Sequence, residues 1–254
     1  KTPNATSFRP DIQGLRAIAV GIVVAYHAGF PGVDGGFIGV DLFFVLSGYL
    51  IIGLMTAELG RTGSILLPAF WARRARRLFP ASALVIVTTV VAAKYLVPFF
   101  ERKEIGIDAM WASLFSANWR FALQGTDYLA ADRSPSPLLH FWSLGVEEQF
   151  YIITPLLFAS IAGTVAWRNR RAAKSGRAPI ALVPVLSVVL TVIVIVSLAY
   201  CVYLTQTNQP FAFFGTHARA WQLGAGGLLA IAVPRMRAVS LRWGTLMSAA
   251  GLAL

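Results

Sequence analysis

Phe37-Ile38-Gly39-Val40-Asp41-Leu42-Phe43-Phe44-Val45-Leu46-Ser47-Gly48-Tyr49-Leu50-Ile51-Ile52-Gly53-Leu54-Met55-Thr56 carries one charge, Asp41, in an otherwise apolar run. A helix needs about 20 such residues to cross a bilayer core of ~30 Å, so this stretch reads as a membrane span. Further apolar segments lie outward from it at 12–29, 78–98, 140–166, 180–204 and 217–233, with a shorter run inside 241–254. The predicted fold class is therefore all-α, a polytopic transmembrane helix bundle. Composition agrees: 57% of the 254 residues are hydrophobic, the mean hydropathy is +0.66, and only 13% are charged. An ordinary soluble domain has about 25% charged residues. Disorder, a coiled coil and a soluble globule are excluded. The lone Cys201 makes no intrachain disulfide, and 12–29 reads as a retained span without a cleavage pattern. The chain begins at Lys1 and stops inside the apolar run 246–254, which reads as a C-terminally truncated domain with seven spans started.

The formal net charge of +11 is a matter of orientation before it is one of ligands. With a cytoplasmic N-terminus and no crossing by 105–123, the inside segments are 1–16, 57–77, 167–179 and 234–243. They hold three, five, five and three cations, sixteen of the chain's 22, against the acids Asp11 and Glu58. A crossing by 105–123 would put the cluster from Arg168 to Arg177 outside, against the positive-inside rule. Segment 105–123, with Asp108, Asn118 and Arg120, is thus expected as an interfacial or re-entrant helix on the outer side. Nucleic acid is not needed to explain the charge.

Ionisable groups at membrane depth are costly and mark function unless a blander role accounts for them. Arg16 and His27 are eleven residues apart, about three helical turns, with Arg16 toward the cytoplasm and His27 toward the outside. A snorkelling anchor and an interfacial ring are their bland readings. The short Gly/Pro-rich turn 29–36 makes helices one and two neighbours, which brings Asp41 to the depth of His27. A carboxylate there would fix the imidazole tautomer. Glu147 and Glu148, in His140-Phe141-Trp142-Ser143-Leu144-Gly145-Val146-Glu147-Glu148-Gln149-Phe150-Tyr151, point to different helix faces. At most one is expected to face the bundle interior. Arg219 opens the 217–233 span, beside glycines suited to close packing. Arg73, Arg74, Arg76 and Arg77 crowd five positions, more than topogenesis requires, and suit polyphosphate recognition. No metal-ligand spacing is convincing: His140 and Glu147 lack further ligands.

These motifs in this order resemble the acyltransferase-3 membrane family. Arg16 and His27 match its Arg/Lys-x10-His signature, and Gly39-Val40-Asp41 with Phe43-Phe44-Val45-Leu46-Ser47-Gly48-Tyr49 looks like its second motif. Arg73-Arg74-Ala75-Arg76-Arg77-Leu78-Phe79-Pro80 resembles the third, and Trp142 to Tyr151 the fourth. Arg219-Ala220-Trp221-Gln222-Leu223-Gly224-Ala225-Gly226 is similar to a fifth, with Gln222 where the family commonly has Glu. The resemblance covers about residues 10–233. It implies a domain of about ten spans that moves an acyl group, usually acetyl, from cytoplasmic acyl-CoA to a hydroxyl of a cell-envelope carbohydrate or glycolipid. The plasma (bacterial inner) membrane is the implied location. Some members add an extracytoplasmic SGNH hydrolase-like domain.

The expected division of labour follows. His27 is general base or transient acyl carrier, oriented by Asp41 or Glu147, with Arg16 lining the donor channel or holding the oxyanion. Arg73, Arg74, Arg76 and Arg77 bind the acyl-CoA phosphates. His140, Trp142, Ser143, Glu148 and Arg219 serve the acceptor or the scaffold. Acyl-CoA is a co-substrate and no permanently bound cofactor is expected. A transporter of a lipid-linked or small polar solute is the alternative, and paired broken helices would support it. A non-catalytic scaffold would not need the buried charges.

Overall fold

The computed structural model describes residues 9–125 and 136–235, and among these the secondary structure is entirely helical. The short run expected within 241–254, with Arg237 and Arg242, lies outside the described residues. The helices are α1 (Pro10–His27), α2 (Ile38–Thr62), α3 (Leu67–Leu96), α4 (Phe99–Ser113), α5 (Ala117–Leu123), α6 (Phe141–Lys174), α7 (Leu182–Thr207), α8 (Gln209–Phe214) and α9 (Thr216–Ala232). Four of them, α2, α3, α6 and α7, are long and apolar enough to cross a membrane. α1 and α9 occupy the expected segments with 18 and 17 residues. Exposed Leu84, Val87 and Val91 on α3, with Val188, Val192 and Val196 on α7, clothe the bundle in apolar surface suited to lipid.

Local sequence sets the ends. Pro10 opens α1, where its missing N–H costs nothing. α2 stops at Gly63, whose φ of 72° lets its N–H close on Leu59 O. Two boundaries correct the sequence reading. α3 starts at Leu67, so Arg73, Arg74, Arg76 and Arg77 sit on the helix rather than before it. α6 runs through Lys174, so Arg168, Arg170, Arg171 and Lys174 lie on a helical extension, because no breaker intervenes before Ser175 and Gly176. At 1.5 Å per residue α6 is about 51 Å long, well beyond a ~30 Å core.

α9 lies parallel to α2 in the tightest seam of the bundle. A Cβ on Gly48 would overlap Leu223 O, and one on Gly226 would overlap Val45 O. Small residues let the two backbones approach, as in membrane helix pairs generally. α6 also runs parallel to α2: Phe44 meets Trp142 and Ser47 meets Glu147. α1, α3 and α7 run the other way. Gly36 touches Tyr26, Trp71 donates to Tyr151 O, and Ser197 bonds at His217 and Trp221.

The segment expected as one helix over 105–123 is two. α4 returns along α3 until Phe115, at φ 51°, breaks the helix and stacks on Phe79. α5 then reverses direction. Arg120 ties the pair together through Asp108 and Glu104. Asn118 and Gln149 secure it to α6 and α9, with Gln149 donating to Phe115 O and to Asn118 Oδ1. Asn118 donates in turn to Phe214 O and Thr216 Oγ1.

Candidate functional site

Three polar levels follow one another down α2. The first, near its N-terminus, pairs Asp41 with Arg219. Arg219 donates from Nη1 to Asp41 Oδ1 at 3.0 Å and from Nε to Phe213 O at 2.8 Å. Its guanidinium packs over Phe213 and Trp142. Trp142 is fully buried between Phe44, Phe213 and Phe214. The Asp41 carboxylate, expected to orient His27, is thus committed to Arg219. The pairing was hidden in the sequence because α2 and α9 are 178 residues apart at this contact.

The second level lies about 9 Å further along α2, counting from Asp41 to Ser47. Here Arg74 of α3 enters between two carboxylates of α6. Its Nη2 is 3.2 Å from Glu147 Oε1, and its Nε donates to Glu148 Oε1 at 2.7 Å. Ser47 and Tyr151 also donate to Glu147 Oε1, at 2.6 and 2.8 Å. The Arg74 guanidinium lies 3.5 Å over the Tyr151 ring. Two expectations are corrected. Glu147 and the arginine run were placed in opposite halves of the bundle, but Arg74 meets Glu147 at one depth, one turn beyond the point where Trp71 of α3 donates to Tyr151 O of α6. Both Glu147 and Glu148 reach the interior, because one guanidinium offers an edge to each. Breaking a buried pair of this kind leaves an uncompensated charge and costs about 3–5 kcal/mol.

The third level is a cleft of about 640 Å³ between the second half of α2 and the start of α3. Ligand pockets of drug-sized molecules run ~300–1,000 Å³. Arg61, Arg73, Arg74 and Arg77 line it, with Ile51, Met55 and Phe70 supplying apolar wall. Arg74 therefore belongs to both the cleft and the carboxylate cluster. Glu58, also on the lining, accepts from Leu66 N at 2.9 Å and holds the α2–α3 corner. Arg76, grouped with its neighbours by sequence, is absent from the lining and donates to Ala72 O of its own helix.

The remaining expected residues are dispersed. His27 ends α1, exposed, with Nδ1 2.8 Å from Val23 O. A carbonyl only accepts, so Nδ1 carries the hydrogen in this bond. Arg16, expected toward the cytoplasm beside the donor, lies instead over the Phe43 ring, 4.8 Å to the centroid and close to the Asp41 level, because α1 packs antiparallel on the first turns of α2. His140 caps α6 with its ring against Phe141, and Ser143 donates to His140 O. Sequence reasoning missed Ser47, Tyr151 and Arg61 as site residues. Ser47 and Tyr151 stood inside quoted motifs, but nothing in one sequence aims them at a common oxygen. Arg61 was absorbed into the topogenic count.

The fold and these levels define a class: a multi-pass α-helical membrane protein with ion pairs inside its bundle and an arginine-lined cleft at one end. Residues 9–254 match the acyltransferase domain that defines the acyltransferase-3 family, and the chain belongs to that family. It is similar to the peptidoglycan O-acetyltransferase OatA of Listeria monocytogenes, 36% identical over 233 residues, which are 92% of this chain and 35% of OatA. It is 37% identical over 238 residues to YrhL of Bacillus subtilis, provisionally named a peptidoglycan O-acetyltransferase, covering 92% of this chain and 34% of YrhL. A Staphylococcus aureus protein, SA0834 of strain N315, provisionally named an O-acetyltransferase, is 33% identical over 229 residues, 89% of this chain and 35% of that protein. The chain spans about a third of the length of the curated relatives it matches. No solved structure gives a significant match.

Proposed function

We propose that this chain is the membrane part of an O-acyltransferase, which moves an acyl group, most simply acetyl, from acyl-CoA to a hydroxyl of a cell-envelope glycan. The observation that carries this reading is the cleft: four guanidinium groups converge on one apolar-walled space whose inner end abuts buried carboxylates. Guanidinium pairs bind phosphate oxygens bidentately, and the apolar wall suits a pantetheine arm. Three of the relatives named above are O-acetyltransferases by name, two of them for peptidoglycan, which supports the reaction class and the acceptor. The arginine cleft is then cytoplasmic, the Asp41–Arg219 level faces the opposite side, and the bilayer is the plasma membrane.

In this reading the cleft arginines Arg61, Arg73, Arg74 and Arg77 hold the diphosphate, and the thioester points along α2 toward Ser47 and Glu147. His27, at the other end, deprotonates the acceptor hydroxyl or carries the acyl group for the last step. A positioned general base contributes about 10²–10⁴-fold. Arg16 and the Asp41–Arg219 pair line the acceptor's approach, with the buried Trp142 holding Arg219 in place, His140 and Ser143 at the start of the same helix, and Glu148 bracing Arg74.

The test is acyl transfer by the full-length protein in membranes with radiolabelled acetyl-CoA. Turnover of wild type, and its loss in His27→Ala and His27→Gln with protein level and acetyl-CoA binding retained, supports the reading. Full turnover in both variants removes His27 from the mechanism. A wild type that neither binds nor consumes acetyl-CoA favours transport of a solute through the polar bundle.

A further inference from the structure

Ser47 has no part in the scheme above beyond marking a depth, yet its position is that of a nucleophile. We propose that Ser47 is the first acyl acceptor, forming an acyl-serine between donor and final acceptor. The inference rests on the reading that acyl-CoA occupies the arginine cleft.

Three observations converge on it. Ser47 Oγ donates to Glu147 Oε1 at 2.6 Å, so a hydroxyl and a base share a hydrogen bond in the bundle interior. Nucleophile and base within about 2.6–3.2 Å, with the base held by a third group, is the general signature of an activated hydroxyl. The third group is present: Tyr151 donates its hydroxyl to the same oxygen, and Arg74 contacts it at 3.2 Å. Second, Ser47 is four residues before Ile51, which lines the cleft, so the two share one face of α2. Ser47 is one turn past the cleft's end, and Arg74 spans the gap, lining the cleft while touching Glu147. Third, Arg61 at the cleft and Ser47 are about 21 Å apart along α2 at 1.5 Å per residue. That is the scale of an extended pantetheine arm with its phosphates at Arg61.

The chemistry balances within these groups. Ser47 Oγ bonds to the thioester carbonyl carbon while its proton moves to Glu147. The carbon–sulfur bond breaks, and Glu147 returns the proton to the departing sulfur, so free CoA thiol leaves. Arg74 Nη2 faces the developing oxyanion. In the second half His27 takes the acceptor's proton as the acceptor oxygen bonds to the acyl carbon, the Ser47 Oγ–carbon bond breaks, and the proton returns to Ser47. Tyr151 is a positioning residue that fixes the Glu147 carboxylate.

The experiment uses the purified full-length protein in lipid nanodiscs with radiolabelled acetyl-CoA and no glycan. The expected result is a burst of about one CoA per protein and a label on the peptide containing residue 47, as covalent catalysis requires. Ser47→Ala abolishes burst and label and lowers transfer at least ~100-fold. Ser47→Cys moves the label to a thioester cleaved by neutral hydroxylamine. Transfer by wild type with no burst and no label on residue 47 overturns the inference while leaving the proposed function intact. So does loss of stability in Ser47→Ala with the label still forming at another residue. Absence of acetyl-CoA binding in wild type overturns the parent reading instead.

Discussion

Arg74 is where the bundle's electrostatics and its proposed chemistry meet. Its guanidinium serves the cleft on one side and two carboxylates on the other, at 18% side-chain exposure. Arg74→Ala leaves Glu147 and Glu148 facing each other without a cation, and a loss of about 3–5 kcal/mol is expected. Chemical unfolding in detergent checks this. Arg76→Ala, four residues from the carbonyl it bonds and outside the cleft, is expected to change stability by about 0.5 kcal/mol or less and to leave acyl-CoA affinity unchanged. Asp41 and Arg219 behave as a unit. A double-mutant cycle with alanine at both is expected to return a coupling of about 0.5–3 kcal/mol, and zero coupling refutes the pair.

At the scale of helices, the α2–α9 seam depends on the absence of two side chains. Gly48→Ala drives a methyl into Leu223 O and is expected to cost about 1–3 kcal/mol, with Gly226→Ala similar. Gly60, on the same helix but with open space around it, gives the opposite sign: Gly60→Ala is expected to stabilise by up to ~1 kcal/mol through helix propensity. Thermal melts of the three variants separate close packing from propensity. The helices themselves were legible, since hydropathy marks long apolar runs without tertiary information. Their ends were less so: α3 and α6 extend into arginine-rich sequence because arginine is a good helix former, and α3 runs on through Pro80. The break at Phe115 was not legible at all, because its left-handed φ is imposed by stacking on Phe79 and by Gln149 bonding its carbonyl. The site's members were mostly visible as costly charges. Their pairings were not, because axial stagger between α3 and α6 decides who meets whom, and stagger is a property of packing.

For the whole molecule, the parallel and antiparallel relations put Arg170, on the α6 extension, at the cleft end of the bundle and Gln124, after α5, toward the end that holds Asp41. In a Cys201→Ala background, a membrane-impermeant maleimide on intact cells is expected to label Gln124→Cys and to spare Arg170→Cys. The reverse pattern inverts the proposed orientation. The net charge of +11 acquires a division of labour on this basis: part orients the chain, part extends α6 beyond the bilayer core, and four guanidinium groups shape the cleft. Whether that cleft is the donor site is decided by equilibrium binding of acetyl-CoA to the full-length protein, wild type against Arg73→Ala/Arg77→Ala, neither of which touches the buried carboxylates in a bond described above. A weakening of tenfold or more, 1.4 kcal/mol per decade, is the predicted result. Equal affinity in the two proteins contradicts it.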